Sequence, residues 1–535
     1  MKKYIALSCM ALMVPALSMQ AQNPYNNYQM VNTHDIIGTS RYVGMGGAMG
    51  ALGADISTIS NNPAGIGLYR RNDISMTMGG VFQEEDPAEG DNRGHFSFDQ
   101  IGFVASFPSE FSDGSLNFGL NFQKKADYSF SQYCGYDGLN GLSQAAQLRG
   151  LYQDFYKGTD NGASLPVRAY DAYLYDMDNG SGGIMGVKSD NNTLYRYTHG
   201  NLYGLDLNLS GAVNNQLFLG LTMGIDFARY RSDFSYVEQR ADEFGYTQDY
   251  EIAGNQRIDG TGFNFKLGTI FRPFEDSPFR IGLAIETPTW YRMKQEDSYY
   301  TIYSKNEYND KTNTYSYINT PGDYQTYDSP DGNYLDYNVF SPWKFRVAMG
   351  STVDNILAWD VEYEYGLYNC TKMGYPRDYD EDGPTIDMDK DRAMTELNDR
   401  VMNNVHNVRA GMEVKPVPEF ALRAGYNFFS KPMKDGARLD QTVPSEAFDY
   451  SLSTDYINLN EAHVFTFGLG YRYKKFYADM AYKYRAQTGD FYAFDDQYQA
   501  GGVSDSQFMT TASSLKPTEV CLDRHSFSVT LGFKF

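Results

Sequence analysis

The sequence predicts an all-β protein, a transmembrane antiparallel β-barrel of about fourteen strands. Three observations carry that reading. The final segment alternates strictly between apolar and polar residues, and the same alternation recurs along the chain. The connections between alternating segments switch regularly between very short and long.

The final segment is the clearest. In 525–535, Phe527, Val529, Leu531, Phe533 and Phe535 are apolar, while Ser526, Ser528, Thr530, Gly532 and Lys534 are small or polar. Neighbouring side chains on a strand point to opposite faces, so one face meets lipid and the other a polar lumen. A terminal aromatic such as Phe535 is similar to the signal read by the barrel assembly machinery, which is then an expected partner beside outer-membrane lipid.

Composition agrees. The 535 residues include 46 tyrosines, 34 phenylalanines and 51 glycines, the material of sheets and tight turns. Beyond residue 21 no apolar run approaches the ~18–20 residues of a helical span. A spanning strand needs only about 9–11 residues, alternately apolar. Lys2 and Lys3, an apolar stretch from Tyr4 to Leu17, and the small-residue site Ser18-Met19-Gln20-Ala21 read as a signal peptide, 1–21. Its removal takes the formal charge from −22 to −24, which argues against nucleic acid as a partner. Cys134, Cys370 and Cys521 remain. Three widely spaced cysteines make no disulfide framework and no zinc motif, and a single pair among them stays unassigned.

The alternation places strands at 73–82, 95–107, 114–124, 201–212, 216–230, 260–273, 278–293, 341–353, 356–368, 404–416, 419–429, 462–474, 475–488 and 525–535. Short connections at 213–215, 354–355, 417–418 and 474–475 alternate with long ones at 125–200, 294–340, 369–403, 430–461 and 489–524. Short periplasmic turns and long extracellular loops are the expected asymmetry, and residues 73–535 form the barrel. An even strand number returns both ends to one side, and closure removes the edges that lipid cannot satisfy. Aromatics near strand ends (Trp290 and Tyr291, Trp343 and Phe345, Trp359 with Tyr363 and Tyr365, Tyr471 and Tyr473) read as interface girdles.

Residues 22–72 do not alternate. The run 39–55 is rich in glycine and alanine and ends at Asp55, and Asn62-Pro63-Ala64-Gly65 is turn chemistry. Small residues suit packing inside a barrel better than life as a solvated tail. This segment, the fourteen candidate strands and the aromatic terminus together resemble the FadL-type outer-membrane transporters of long-chain fatty acids and other hydrophobic compounds. The likeness covers the mature chain in outline, and in detail only 35–65 and a few strands such as 341–365. It implies that 22–72 is an N-terminal hatch inside the lumen, with Asn62, Pro63, Ala64 and Gly65 setting its conformation. It implies passive uptake of a hydrophobic small-molecule ligand, with no enzyme activity and no driving cofactor. The long, acidic, tyrosine-rich loops depart from that pattern, and the family's ligand-contacting residues have no assigned counterparts. A different class of function is a FadL-like scaffold or binding barrel for secreted proteins, and another alternative is a haem receptor using a histidine or tyrosine.

Two local motifs bear on binding chemistry. The glycines at 44, 46, 47 and 50 lack the spacing and the preceding buried strand of a dinucleotide site. Asp378, Asp380, Asp382 and Asp389 stand at positions one, three, five and twelve around Gly383, the outline of a structural calcium loop. Thr385 and an aspartate at position twelve depart from it, and a solvated acidic loop is the plainer reading.

Overall fold

In the computed structural model fourteen antiparallel strands close into a barrel. It describes residues 35–85, 91–108, 114–137, 139, 142–152, 164–171, 188–213, 215–241, 247–304, 307–309, 314–316, 325–326, 333–354, 356–376, 388–441, 443–445, 453–495 and 515–535. The strands are β1 Asp73–Gln83, β2 Gly94–Pro108, β3 Ser115–Asp127 continuing as Phe130–Asp137, β4 Lys188–Ala212 and β5 Leu217–Ala241. Then come β6 Thr247–Phe271, β7 Arg280–Glu286 continuing as Trp290–Ser304, β8 Asn333–Phe340 continuing as Lys344–Val353, and β9 Leu357–Gly366 continuing as Lys372–Pro376. The last five are β10 Val405–Val417, β11 Phe420–Phe429, β12 Tyr456–Tyr473, β13 Phe476–Tyr492 and β14 Arg524–Lys534. The ring closes where β1 pairs with β14, from Asp73 opposite Lys534 to Gln83 opposite Arg524.

Every expected strand has a counterpart, but many run further at the long-loop end. The stretches 125–200 and 294–340, expected as loops, contain paired strand: Phe130 lies opposite Thr198, and Asn333 opposite Asp297. The β5–β6 ladder is unbroken from Leu217–Phe271 to Ala241–Thr247. Past the lipid a strand no longer needs an apolar outer face, so the alternation that marks it in sequence stops while pairing goes on.

Burial is inverted relative to a soluble protein. Leu219, Leu221 and Phe227 on β5, Phe263 and Leu267 on β6, and Phe467 and Leu469 on β12 are exposed, while the interleaved Thr222, Asp226, Asn264, Lys266 and Thr466 are buried. This is an outer-membrane β-barrel with a polar interior. Aromatic pairs mark the short-turn rim, with Phe420–Tyr471 at 5.0 Å and Phe476–Phe533 at 4.8 Å. Phe535 stacks on Phe533 at 5.6 Å, and its backbone N–H and carbonyl both bond Asn72. Tyr291 corrects the girdle reading: adjacent to outward Trp290, it must face inward, where it is buried and donates to Asp226 at 3.0 Å.

Inside the ring lie two regions. The lower holds residues 35–72, folded as the short helix α1 (Ser40–Gly44) and two 3₁₀ turns, Ile56–Ser60 and Pro63–Leu68. The upper is an apolar core of Tyr230, Tyr236, Tyr337, Met293 and Phe494. It is completed by α2 (Gln144–Leu151), α3 (Leu165–Asp171) and α4 (Arg392–Val401), which contribute Leu148, Leu165, Met394 and Leu397.

Candidate functional site: the inner segment and the cavity above it

Residues 35–72 cross the lumen between two patches of wall that lack side chains. On β10, β11 and β12, Gly411, Gly425 and Gly468 face residues 44–46. A Cβ on Gly425 would stand 2.2 Å from the Gly46 nitrogen, and one on Gly411 2.2 Å from the Met45 carbonyl oxygen. Gly46 itself has φ 65°, a backbone that glycine adopts without penalty. On β5, β6 and β7, Gly220, Gly268 and Gly282 make the second seat. There a Cβ would fall 2.3 Å from the Pro63 carbonyl carbon at Gly220, and 2.1 Å from Asn62 Oδ1 at Gly268. At Gly220, Gly268, Gly282, Gly411 and Gly425 a side chain would push the segment off the wall, while at Gly468 the nearest segment atom is 3.1 Å from the added Cβ.

The structure brings the motif residues Asn62, Pro63, Ala64 and Gly65 to that second seat. Asn62 Oδ1 accepts from the Ala64 N–H at 3.2 Å, a local cap. Its Nδ2 donates to the Gly50 carbonyl at 2.7 Å and to the Thr269 carbonyl of β6 at 3.3 Å. Pro63 starts the second 3₁₀ turn, where its missing N–H costs nothing. Ala64 is fully buried, and the Gly65 carbonyl accepts the Ala54 N–H at 3.0 Å. Asp55 caps the first 3₁₀ turn through Ser57 N–H and accepts from Thr39 Oγ1 at 2.8 Å.

Around these contacts the wall is ionic. Arg409 binds Glu362 and, at 3.1 Å, Glu364, and Arg346 bridges Glu364 and Glu286. Asn61 sits within this cluster: its Nδ2 donates to both oxygens of Glu362 at 2.8 Å, and Arg409 donates to its Oδ1 at 3.0 Å. Ser60 donates to Asp206 at 2.7 Å, and Asp206 also pairs with Lys266 at 3.1 Å. Asp360 accepts the N–H groups of Ala51 and Leu52 at 2.9 and 2.8 Å. Arg41 joins Arg423 on Glu413, and Asp35 pairs with Lys483 at 2.5 Å. Buried charges persist only when paired and hydrogen-bonded, and the segment supplies part of that compensation.

Above the segment, at the junction with the apolar core, lies a partly enclosed cavity of about 180 Å³. Tyr128, Phe130, Tyr230, Tyr456, Ile457 and Leu459 form apolar walls, Arg196, Arg485 and Arg524 bring positive charge to it, and Asp35, Asp127 and Asp455 bring negative charge. Arg196 is paired with Asp455 at 2.6 Å. Arg485 donates to Gln487 at 2.8 Å and Arg524 to the Asp127 carbonyl at 3.0 Å, over the rings of Phe429 and Phe130 respectively. Neither arginine forms an ion pair among the described residues. Strand alternation gives their inward phase, with Asp479, Lys483 and Arg485 on one face of β13. It says nothing of which strands' residues meet across the lumen.

The remaining expectations fall elsewhere. Asp378, Asp380 and Asp382 lie outside the described residues, and Asp389 sits exposed on a short strand opposite Tyr375. Among the described residues no group of three or more acidic, histidine or cysteine side chains is arranged to hold a metal. No described histidine lines the cavity, and His406, His463 and His525 bond tyrosine hydroxyls instead. Cys134, Cys370 and Cys521 are free thiols, so no pair forms among them.

No family model matches the sequence, and no curated protein matches it. Solved structures do. A Pseudomonas aeruginosa FadL homologue superposes with a TM-score of 0.50 at 14% identity, over 93% of this chain and 98% of that one. The fold is of the FadL type. The Ralstonia pickettii toluene transporter TbuX gives a TM-score of 0.46 at 10% identity, over 94% of this chain and 100% of that one. The Pseudomonas putida toluene transporter TodX gives 0.46 at 10% identity, over 97% of this chain and 100% of that one. In this FadL-type barrel β4, β5 and β6 each reach 25 residues, far beyond a membrane crossing.

Proposed function

We propose that this FadL-type barrel is a channel for passive uptake of hydrophobic compounds carrying an anionic head, in the manner of a long-chain fatty acid. In this reading 1–21 is the secretion signal and 22–72 is a hatch seated in the lumen. The observation that carries the proposal is the cavity with aromatic and aliphatic walls, lined by Arg485 and Arg524, neither of which forms an ion pair among the described residues. A guanidinium pair of that kind suits a carboxylate head through charge-assisted hydrogen bonds. The cavity is smaller than the ~300–1,000 Å³ of most ligand sites, so a long tail enters only if the apolar core above yields.

Asp35 lines the same cavity and pairs with Lys483. An arriving carboxylate competes for that cationic corner and loosens the leading end of the hatch. The glycine seats set how far the hatch then moves, with Asn62 releasing Gly50 and Thr269. Outer-membrane lipid surrounds the wall, and the assembly machinery reads β14, which Phe535 follows.

Uptake of a labelled long-chain fatty acid by cells with and without the gene tests this. Loss on deletion is expected, with restoration by the native gene and not by a gene carrying Arg485→Met and Arg524→Met. Uptake of a neutral hydrocarbon should be less affected by that double change. Fatty-acid uptake indifferent to the gene would sink the proposal.

A further inference from the structure

We infer that the outward face of β5, β6 and β7, just above the apolar band, binds the phosphate groups of an outer-leaflet lipid. The band ends on this face at Phe227, Phe263 and Trp290, with the rings of Phe263 and Trp290 4.8 Å apart. Two residues further toward the long-loop side, each strand presents its next outward side chain: Arg229, Thr261 and Arg292. In register Arg229 stands opposite Asp259 and Asp259 opposite Lys294, and one outward pair further Arg231 stands opposite Arg257 and Arg257 opposite Glu296. Hydrocarbon thus gives way within one residue pair to a charged band in which the cations Arg229, Arg231, Arg257, Arg292 and Lys294 outnumber the interleaved Asp233, Asp259 and Glu296.

The exposed cations are Arg229, Arg257, Arg292 and Lys294, with Thr261 and Asp259 exposed among them. Arg229 and Arg257 make no ion pair among the described residues, while Arg231 is held by Asp259 at 2.7 Å and Arg292 by Asp336 at 3.3 Å. This stands out in a chain of formal charge −22. The other side of the barrel differs. There His406, His463 and His525 each bond a tyrosine hydroxyl at 2.7–2.8 Å, and His525 lies 3.6 Å from Glu84. Lipid phosphates lie where hydrocarbon ends, and guanidinium groups match their geometry through paired N–H donors. Adjacent strands are about 4.8 Å apart, so Arg229 and Arg292, two strands apart, can flank one headgroup over Thr261. The acyl chains would lie on the exposed leucines and phenylalanines below.

The test is native mass spectrometry of the full chain in neutral detergent, titrated with bis-phosphorylated lipid A or with its dephosphorylated form. The native protein should retain lipid A and lose most of that retention with the dephosphorylated lipid. Arg229→Gln, Arg257→Gln and Arg292→Gln together should weaken lipid A binding about ten-fold or more. Arg472→Gln with Lys475→Gln, at the opposite rim, should leave it unchanged. Heat-modifiable gel mobility verifies that each variant is a folded barrel. Equal binding of both lipids, or native-like binding by the triple variant, overturns the assignment. Complete displacement by millimolar inorganic phosphate would show that the site reads a free anion rather than a lipid.

Discussion

The two regions of the interior solve opposite problems. The lower lumen is ionic: Arg346, Arg409 and Arg423 meet Glu286, Glu362, Glu364, Glu413 and Asp479, and the inner segment fits among them through backbone, small polar side chains and its own Arg41 and Asp35. The upper region is apolar, sealed by tyrosines, leucines and methionines with three short helices. An ionic wall holds a segment by directed bonds that can be exchanged for water or a ligand. An apolar core holds its helices by burial, which is lost only on exposure. The cavity lies where the two meet, which gives it both arginines and aromatic walls.

The contrast breaks most completely at the glycine seats. Gly220→Val with Gly425→Val places side chains where Pro63 and Gly46 now lie, so the segment should leave both walls. Residues 35–72 should then become protease-sensitive from the periplasmic side, and single-channel conductance in planar bilayers should rise from a closed baseline. A variant as closed and as resistant as the native barrel would show that the seats do not hold the segment.

A smaller but still large effect is expected in the ionic wall. Arg409→Met strands Glu362 without a cation and leaves Glu364 with Arg346 alone, at a cost of about 3–5 kcal/mol for a broken buried pair. A lowered unfolding midpoint by differential scanning calorimetry checks it, and no change would mean that water already screens this wall.

The upper region offers a matched polar probe. Glu238, fully buried, accepts from Ser143, Ser189, Tyr236 and Tyr250 hydroxyls and from the Gln144 N–H at the start of α2. Burial, with Glu238 beside it, raises the Tyr236 phenol well above its ordinary value, so it remains a donor at neutral pH. Glu238→Gln turns an acceptor toward these donors into a donor, and should cost about 1–3 kcal/mol. Loosening of α2 should appear as faster amide exchange over Gln144–Leu151 with the barrel strands unchanged.

The smallest effect is chemical rather than structural. Burial pushes the Cys134 thiol up to about 12, while Cys370 is exposed. At pH 8 maleimide should label Cys370 on folded protein within minutes and leave Cys134 unlabelled until denaturation. Early labelling of Cys134 would mean that the upper core opens readily.

Much of this was legible in residue order. Alternation such as Phe527, Val529, Leu531 and Phe533 against Ser528, Thr530 and Lys534 marks a wall between lipid and a polar lumen. Asn62-Pro63 announced a turn for a purely local reason, since Oδ1 caps the Ala64 N–H two residues away. The strand ends above the membrane were hidden, because β5 and β6 keep pairing after their outer face turns to Arg229, Arg231 and Asp233.

The sequence alone thus determined the barrel, its approximate strand number and the odd character of its first segment, because period and turn chemistry are properties of neighbours in the chain. The tertiary structure decided what meets across the lumen. Gly268 is an unremarkable strand glycine until Asn62 arrives beside it, and Arg485 is one inward cation until Arg524 and Tyr128 complete a cavity around it. Those contacts join residues tens to hundreds of positions apart, and only closure of the ring fixes which of them face each other.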